Sequence, residues 1–432
     1  MDSESGTSVQ RRVFWIRGGT LTSPDGRTLG VGATPVTVGR HPSATLCLDD
    51  PAVSAVHCEL GATENGVVLR DLGSTNGTLV GSVALGEACL TGACTIRVGG
   101  TDLAFSPATE QNPVETEEQS SFGSLVGSSR AMRRLFGLLR RVSATSLSVL
   151  ITGETGTGKE MVAKAIHAAS ERRTGPFVIV DCGAIASTLA ESVLFGHEKG
   201  SFTGAHERRP GVLRQAHGGT VFLDELGELA PEVQPKLLRV FAEGTVQRVG
   251  ATAHEPIDVR VLAATRRDLR REINANRFRS DLFFRVAQVH LDLPPLRERR
   301  QDIPMLVERA CQRIGLAQSA ELAQKYIATR FGQYDWPGNV RELMNVASVL
   351  ASMGPGQDES LEQILPLEAS AQRARCGDEE VAFLQAKRAF EESYFRGLLL
   401  ATDGNISEMA RRSGLARHQV RAHLRKLGLI SA

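Results

Sequence analysis

Few features of this chain suit an extracellular or metal-built protein. Its 432 residues hold seven cysteines, an odd number with no Cys-x-x-Cys pair. That argues for unpaired thiols in a reducing compartment, and against a disulfide frame or structural zinc. Aromatic residues are scarce at 5%, yet 41% of the chain is hydrophobic and 23% is charged, a soluble globular composition. No apolar run reaches membrane-spanning length, and the start Met1-Asp2-Ser3-Glu4-Ser5 is polar and acidic, unlike a secretory leader. A cytoplasmic protein with no membrane partner is expected. Net charge is only +1, so the distribution of charge matters more than its sum. The length suits two to four domains.

What is present is organised around Gly153-Glu154-Thr155-Gly156-Thr157-Gly158-Lys159. The apolar run Leu147 to Ile151 precedes it and the mixed segment Met161 to Ala169 follows it, which reads as strand, glycine loop and helix. Successive backbone N–H groups in such a loop curl around a phosphate, and the helix start adds a favourable dipole. Lys159 is placed to reach β- and γ-phosphates; Glu160 stands where a magnesium-binding hydroxyl is usual. Further on, Val221-Phe222-Leu223-Asp224-Glu225 is an apolar strand ending in two carboxylates. Asp224 suits the metal role, holding Mg²⁺, and Glu225 suits polarisation of an attacking water. Two acids after a strand also form ordinary helix caps, but with the upstream loop they read as a nucleotide hydrolase site.

Residues 12 to 105 read as short strands punctuated by glycine, among them Val13–Ile16, Val36–Val38, Cys58–Leu60 and Val67–Leu69. An all-β sandwich is expected. Three pieces resemble a forkhead-associated domain: Gly39-Arg40, Ser54-Ala55-Val56-His57, and Asp71-Leu72-Gly73-Ser74-Thr75-Asn76-Gly77-Thr78. The resemblance implies loops that bind a phosphothreonine protein or peptide through Arg40, Ser54, Thr75 and Asn76, with His57 bracing them. Arginine offers a charged fork to phosphate, and hydroxyls and an amide offer neutral donors. Ala55 stands where the family often has a basic residue. Residues 106–121, polar, acidic and proline-containing, read as a flexible linker.

From 123 to 350, strand and helix patterns alternate as in a mainly parallel sheet, with strands at Ser148–Thr152, Phe177–Val180, Thr220–Leu223 and Val259–Ala263. This segment resembles the α/β AAA+ ATPase domain of sigma-54-dependent transcriptional activators, with a small helical lid. The phosphate loop, Glu160 included, matches that family's own variant. The resemblance implies ATP bound by Gly153 to Glu160 and by Arg341, with Mg²⁺. It places the sigma-factor contact on Phe202, Thr203 and Gly204, within Leu194-Phe195-Gly196-His197-Glu198-Lys199-Gly200-Ser201-Phe202-Thr203-Gly204-Ala205. Arg279 and Arg285 resemble arginine fingers that complete the site of an adjacent subunit in a hexameric ring. Thr265 matches a first sensor, and Arg341, in Trp336-Pro337-Gly338-Asn339-Val340-Arg341, a second. Asp181 and Arg266 depart from the family, which usually has asparagine at both positions.

Residues 351–378 read as a second linker, and 379–432 as an all-α unit. Ile406–Arg412, Ser413-Gly414-Leu415 and Ala416–Leu427 have helix-turn-helix spacing and resemble a Fis-type DNA-binding domain. From Asn405 onward six Arg or Lys face one acid, Glu408. Arg417, His418, Gln419 and Arg421 are candidates for base edges, and Arg411 and Arg412 for backbone phosphates. Together these expectations describe an ATPase that binds upstream DNA, remodels sigma-54 RNA polymerase, and takes its input from threonine phosphorylation by a Ser/Thr kinase pathway. A DNA-bound phosphopeptide adaptor with an inert ATPase fold, and a remodeller of some other protein, are the alternatives. Lys159, Asp224, Glu225, Arg279 and Arg285 count against the first, and the sigma-contacting loop against the second.

Overall fold

The computed structural model describes residues 11–32, 34–117, 119–202 and 205–353, together with Phe395, Thr402, 406–413 and 417–426. The chain divides into two units, 1–365 and 366–432.

The N-terminal part of the first unit is a sandwich of two sheets. One runs in the order Glu87–Leu90, Val67–Asp71, Cys58–Ala62, Val36–Gly39, Leu46–Cys47; the other in the order Thr28–Val31, Gly19–Thr22, Thr101–Pro107, Cys94–Val98, Thr78–Val80, Val83–Leu85. Alternation builds the core: in Thr101–Pro107 only Leu103 and Phe105 are buried, and they meet Leu60, Val67 and Leu69 of the facing sheet.

Two expectations change here. Arg11–Ile16 belongs to neither sandwich sheet; it pairs antiparallel with Asn112–Glu117. The stretch 106–121 is therefore not a plain flexible linker. Thr101–Pro107 runs into it, Asn112–Glu117 is a strand, and Ser121–Phe122 pairs with Leu125–Val126. Composition hid this because the partner that satisfies the backbone of Asn112–Glu117 lies about a hundred residues upstream, and ladder pairing does not need an apolar sequence.

The central domain holds a five-stranded parallel sheet, in the order Phe177–Asp181, Thr220–Asp224, Arg260–Thr265, Val149–Thr152, Val289–Asp292. Its three central strands are largely apolar because both faces are covered, while the edge strands are partly exposed. Val149, Ile151, Phe222, Leu262 and Ala264 pack with helices Arg130–Ser143 and Lys159–Ala168. Their neighbours Leu150, Val221, Leu223, Val261 and Ala263 pack on the other face, with Leu237, Leu269 and Leu282. Helices Ile303–Arg313, Ala320–Phe331 and Asn339–Met353 follow as a small subdomain, anchored by fully buried Trp336 against Phe331 and Tyr334.

Sandwich and central domain meet through the loop end of the sandwich. Val56 and Leu72 share one apolar cluster with Leu269, Ile273, Phe278 and Leu282. Asn274 Nδ2 donates to the carbonyls of Val56 and Leu72 at 2.8 and 3.1 Å. Arg270 pairs with Glu59 at 2.7 Å, both side chains largely buried. His41 stacks on Phe284 with centroids 4.4 Å apart.

In the second unit, helices Ile406–Ser413 and Arg417–Lys426 pack around Phe395, Met409, Val420 and Leu424. Among the described residues no helix is long and apolar enough to cross a membrane, and the cysteines are free thiols. Cys376 and the second linker lie outside the described residues.

Candidate functional site

The glycine loop leaves the C-terminal end of Val149–Thr152 and enters the helix beginning at Lys159. Gly156 shows why the loop needs glycine. Its φ is +81°, and a Cβ there would strike the Gly338 carbonyl oxygen of the helical subdomain. Lys159 folds back on the loop: Nζ donates to the carbonyls of Gly153 and Glu154 at 2.9 and 3.2 Å, and Glu225 Oε1 lies 3.9 Å away. Burial lowers its pKa; Glu225 and Asp224 oppose that, whereas the charges of Arg341 and Arg266 add to it. Arg341 is thus within electrostatic reach of Lys159, and its own N–H donates to the Gly156 carbonyl at 3.2 Å.

Asp224 ends the strand Thr220–Asp224 and Glu225 follows it; this strand is separated from Val149–Thr152 by Arg260–Thr265, and the parallel sheet brings the acids to the same C-terminal edge as the loop. Burial, then the nearby charge of Glu225 and Asp181, holds the Asp224 carboxyl above its ordinary range, against the opposing hydrogen bond from the Glu225 N–H. Glu225 adopts φ +49°, a conformation unusual for a non-glycine residue and often found at working sites. Its Oε2 accepts from the Arg266 N–H at 3.2 Å. Asp181 Oδ1 instead accepts from the N–H groups of Gly183 and Ala184, at 2.9 and 3.2 Å. The contact to Glu225 thus comes from the Arg266 backbone. Thr265 is fully buried at the end of its strand, and its hydroxyl accepts from the Arg267 N–H at 3.0 Å.

The acid-rich edge fits a hard divalent cation. The Asp224 carboxyl, raised by burial and the neighbouring acid charges, favours a bound positive charge. Among the described residues no cluster of three or more candidate metal ligands exists.

Two members of the predicted nucleotide set have side-chain partners within the chain. Glu154 binds Arg297 through two hydrogen bonds of 2.9 and 2.7 Å and accepts from Asn339 at 3.1 Å. Hydrogen bonding to Arg297 draws its pKa down. Glu160 is exposed and pairs with Lys164 at 2.6 Å. Sequence reading assigned no role to Asn339, Arg297 or Arg299. Asn339 Nδ2 also reaches the Thr155 carbonyl at 3.0 Å, and the buried Arg299 donates to the Thr157 carbonyl at 2.8 Å. Asn339 sits within the second-sensor stretch Trp336–Arg341, and Arg297 and Arg299 follow the apolar, proline-rich run Leu293-Pro294-Pro295-Leu296; the available signal was a polar residue beside such a turn.

Arg279 is the residue before helix Ser280–Val286, and Arg285 lies in its last turn. Arg279 pairs with Asp281 at 2.7 Å, and Arg285 donates twice to the Phe241 carbonyl, at 3.0 and 2.6 Å. Phe202 is 38% exposed and stands edge-on to His197. Thr203 and Gly204 lie outside the described residues.

In the sandwich, Ser54, Thr75 and Asn76 converge. The Thr75 N–H donates to Ser54 Oγ at 3.0 Å, and Asn76 Nδ2 to the Ala52 carbonyl at 2.7 Å. Arg40, Thr75 and Asn76 are exposed; Ser54 is buried. His57 braces this end as expected. Its Nδ1 accepts from the Ser54 N–H and its Nε2 meets the Gly77 carbonyl, both at 3.1 Å. Burial lowers its pKa, with the Gly77 hydrogen bond opposing. Asp71, unassigned from sequence, ties the loop by accepting from Gly73 and Ser74 N–H groups and from the Ser74 and Thr78 hydroxyls.

In the second unit Arg411, Arg417, Gln419 and Arg421 are exposed, and Arg411 pairs with Glu408 at 2.7 Å. Arg412 and His418 lie on these helices, their side chains outside the described set.

Comparison with known proteins agrees with this layout. The family descriptions FHA domain, Sigma-54 interaction domain and AAA+ ATPase lid domain match residues 36–99, 125–292 and 297–380. The transcriptional regulatory protein ZraR of Klebsiella oxytoca is 42% identical over 320 residues, covering 73% of this chain and 71% of that protein. The DNA-binding transcriptional regulator NtrC of Salmonella typhimurium is 39% identical over 347 residues, covering 74% and 73%. The crystal structure of NtrX from Brucella abortus in complex with ATP is 34% identical, covers 72% of this chain and 70% of that one, and superposes with a TM-score of 0.49. The sandwich is a forkhead-associated domain and the central domain an AAA+ domain with its lid. The chain belongs to the family of sigma-54-dependent transcriptional regulators.

Proposed function

We propose that this protein is a cytoplasmic ATPase that binds DNA upstream of sigma-54 promoters and remodels the closed complex of RNA polymerase with sigma-54. One observation carries the reading. The edge of a single parallel sheet gathers Lys159, Asp224 and Glu225, with Arg341 close enough to influence the lysine, in a chain of this family.

ATP is the substrate. Lys159 would exchange its loop carbonyls for phosphate oxygens, and the loop N–H groups would hold the β-phosphate. Asp224 would hold Mg²⁺, which supplies charge neutralisation on phosphate oxygens. Glu225, freed from the Arg266 N–H, would orient and deprotonate water. Arg279 and Arg285 are held by partners of their own chain, so serving a neighbouring subunit in a hexameric ring requires them to leave those partners. Arg341 would report phosphate occupancy to the lid. Phe202, Thr203 and Gly204 would touch the sigma factor, and the basic C-terminal helices would contact DNA through Arg411, Arg412, Arg417, His418, Gln419 and Arg421. The sandwich would take its input from a phosphothreonine partner through Arg40, Ser54, Thr75 and Asn76.

The test is ATP turnover per subunit across a dilution series spanning assembly. Rising specific activity with concentration, lost in Arg285→Ala, supports catalysis completed between subunits; a flat profile overturns it.

A further inference from the structure

We infer that Arg271, a residue of the ATPase domain, is a second cation of the sandwich's peptide site and reads a carboxylate close to the phosphothreonine; this rests on the phosphothreonine reading above. The starting point is Ala55. It packs against the apolar cluster that Val56 and Leu72 share with Leu269, Ile273 and Leu282. A basic side chain is replaced here by a contact between domains, and of the four predicted reading residues only Arg40 is charged.

The same contact delivers another cation. Gly73 opens the loop that carries Thr75 and Asn76, with φ +70°. A Cβ built on it would lie 3.4 Å from Arg271 Cγ, and 3.7 and 3.8 Å from its Cβ and Cδ. The Arg271 stem therefore runs along the loop backbone at a point that glycine leaves clear. Its helix, Leu269–Asn274, is fixed there on either side. Arg270 turns inward to Glu59, and Asn274 holds the carbonyls of Val56 and Leu72. Arg271 itself is exposed, with no hydrogen bond or ion pair to its guanidinium among the described residues; Asp268 feels its charge at longer range.

Distance selects what it reads. Two peptide links separate Gly73 from Thr75, at most about 7.6 Å between Cα atoms. An extended peptide advances about 3.3 Å per residue. A guanidinium on a stem beside Gly73 thus meets a peptide side chain roughly two to four residues from the phosphothreonine, leaving the phosphate to Arg40. A carboxylate there gains a charge-assisted hydrogen bond.

The experiment uses the full chain and alanine-based phosphothreonine peptides. One aspartate is walked through the positions two to four residues on either side, with the all-alanine phosphopeptide and unphosphorylated twins as references. Fluorescence anisotropy should show at least one aspartate position binding about fivefold tighter than the all-alanine phosphopeptide. Arg271→Ala should erase that preference while keeping binding of the all-alanine phosphopeptide and the basal ATPase rate. Arg271→Lys should retain part of it, and Arg271→Glu should reverse it. A preference that survives Arg271→Ala, or phosphate-dependent binding indifferent to every aspartate, overturns the assignment. Binding indifferent to phosphorylation in the parent chain overturns the phosphothreonine reading, and this inference with it.

Discussion

At the phosphate loop the reactive groups are held by partners in their own chain; at the sandwich loops Arg40, Thr75 and Asn76 are exposed, with Ser54 buried beneath and Asn76 tied to the Ala52 carbonyl. Lys159 rests on loop carbonyls, Glu225 on the Arg266 amide, and Glu154 on Arg297 and Asn339. Arg40, Thr75 and Asn76 are exposed above a frame fixed by His57 and Asp71. The difference separates two kinds of site. A catalytic site that must be switched needs its groups held away from reaction until a partner exchanges those contacts. A recognition site gains from a frame that needs no rearrangement.

The largest expected effect tests the catalytic half. Glu225→Gln should keep ATP affinity and lower turnover by about 10²- to 10⁴-fold, the usual contribution of a general base. Phosphate release and a nucleotide titration check it. Turnover within threefold of the parent would move the base elsewhere and dissolve the contrast.

The recognition half comes next. Arg40→Ala should weaken phosphothreonine peptide binding about 10- to 100-fold, matching the 1.5–3 kcal/mol typical of a hydrogen bond to a charged group. Basal ATP turnover should not change. Calorimetry with a phosphorylated peptide and its twin, alongside the ATPase assay, reads both; a fall in turnover would mean that the two sites are not separable.

Both halves were legible where chemistry is written in contiguous residues. The loop Gly153–Lys159, the acids Asp224 and Glu225, and the parallel sheet all stand in unbroken stretches of sequence. The strand Asn112–Glu117 was not legible, since its partner Arg11–Ile16 is distant and its composition is that of a tether. Nor was the contact between domains: Asn274, Glu59 and Phe284 look like ordinary surface residues until the fold brings them together. Arg266 looked like a lost polar contact, but its backbone N–H reaches Glu225 and needs no particular side chain.

A smaller effect concerns the lid. Arg297→Ala removes a half-exposed ion pair with Glu154 and should cost no more than about 1 kcal/mol of stability in denaturant unfolding. A much larger loss would show that the lid is held to the loop mainly by this pair.

The smallest is a pH effect on the sandwich. Burial holds His57 below its ordinary pKa of 6.5, so as pH falls through 6.5 the unfolded chain takes up a proton first. Stability should decline below about pH 6.5 and level off once the folded form is protonated too. Thermal unfolding at pH 7.5 and 5.5 should show a smaller drop for His57→Gln than for the parent. Equal drops would remove His57 as the titrating brace.

The central claim is that ATP turnover at Lys159, Asp224 and Glu225 drives promoter opening. It is tested most directly by open-complex formation on a sigma-54 promoter carrying the protein's upstream DNA site, followed by permanganate reactivity of unpaired thymines. With ATP the parent protein should open the promoter, while Glu225→Gln should bind ATP and leave it closed. Opening by Glu225→Gln at the parent rate, or no opening by an actively hydrolysing parent, would contradict the account.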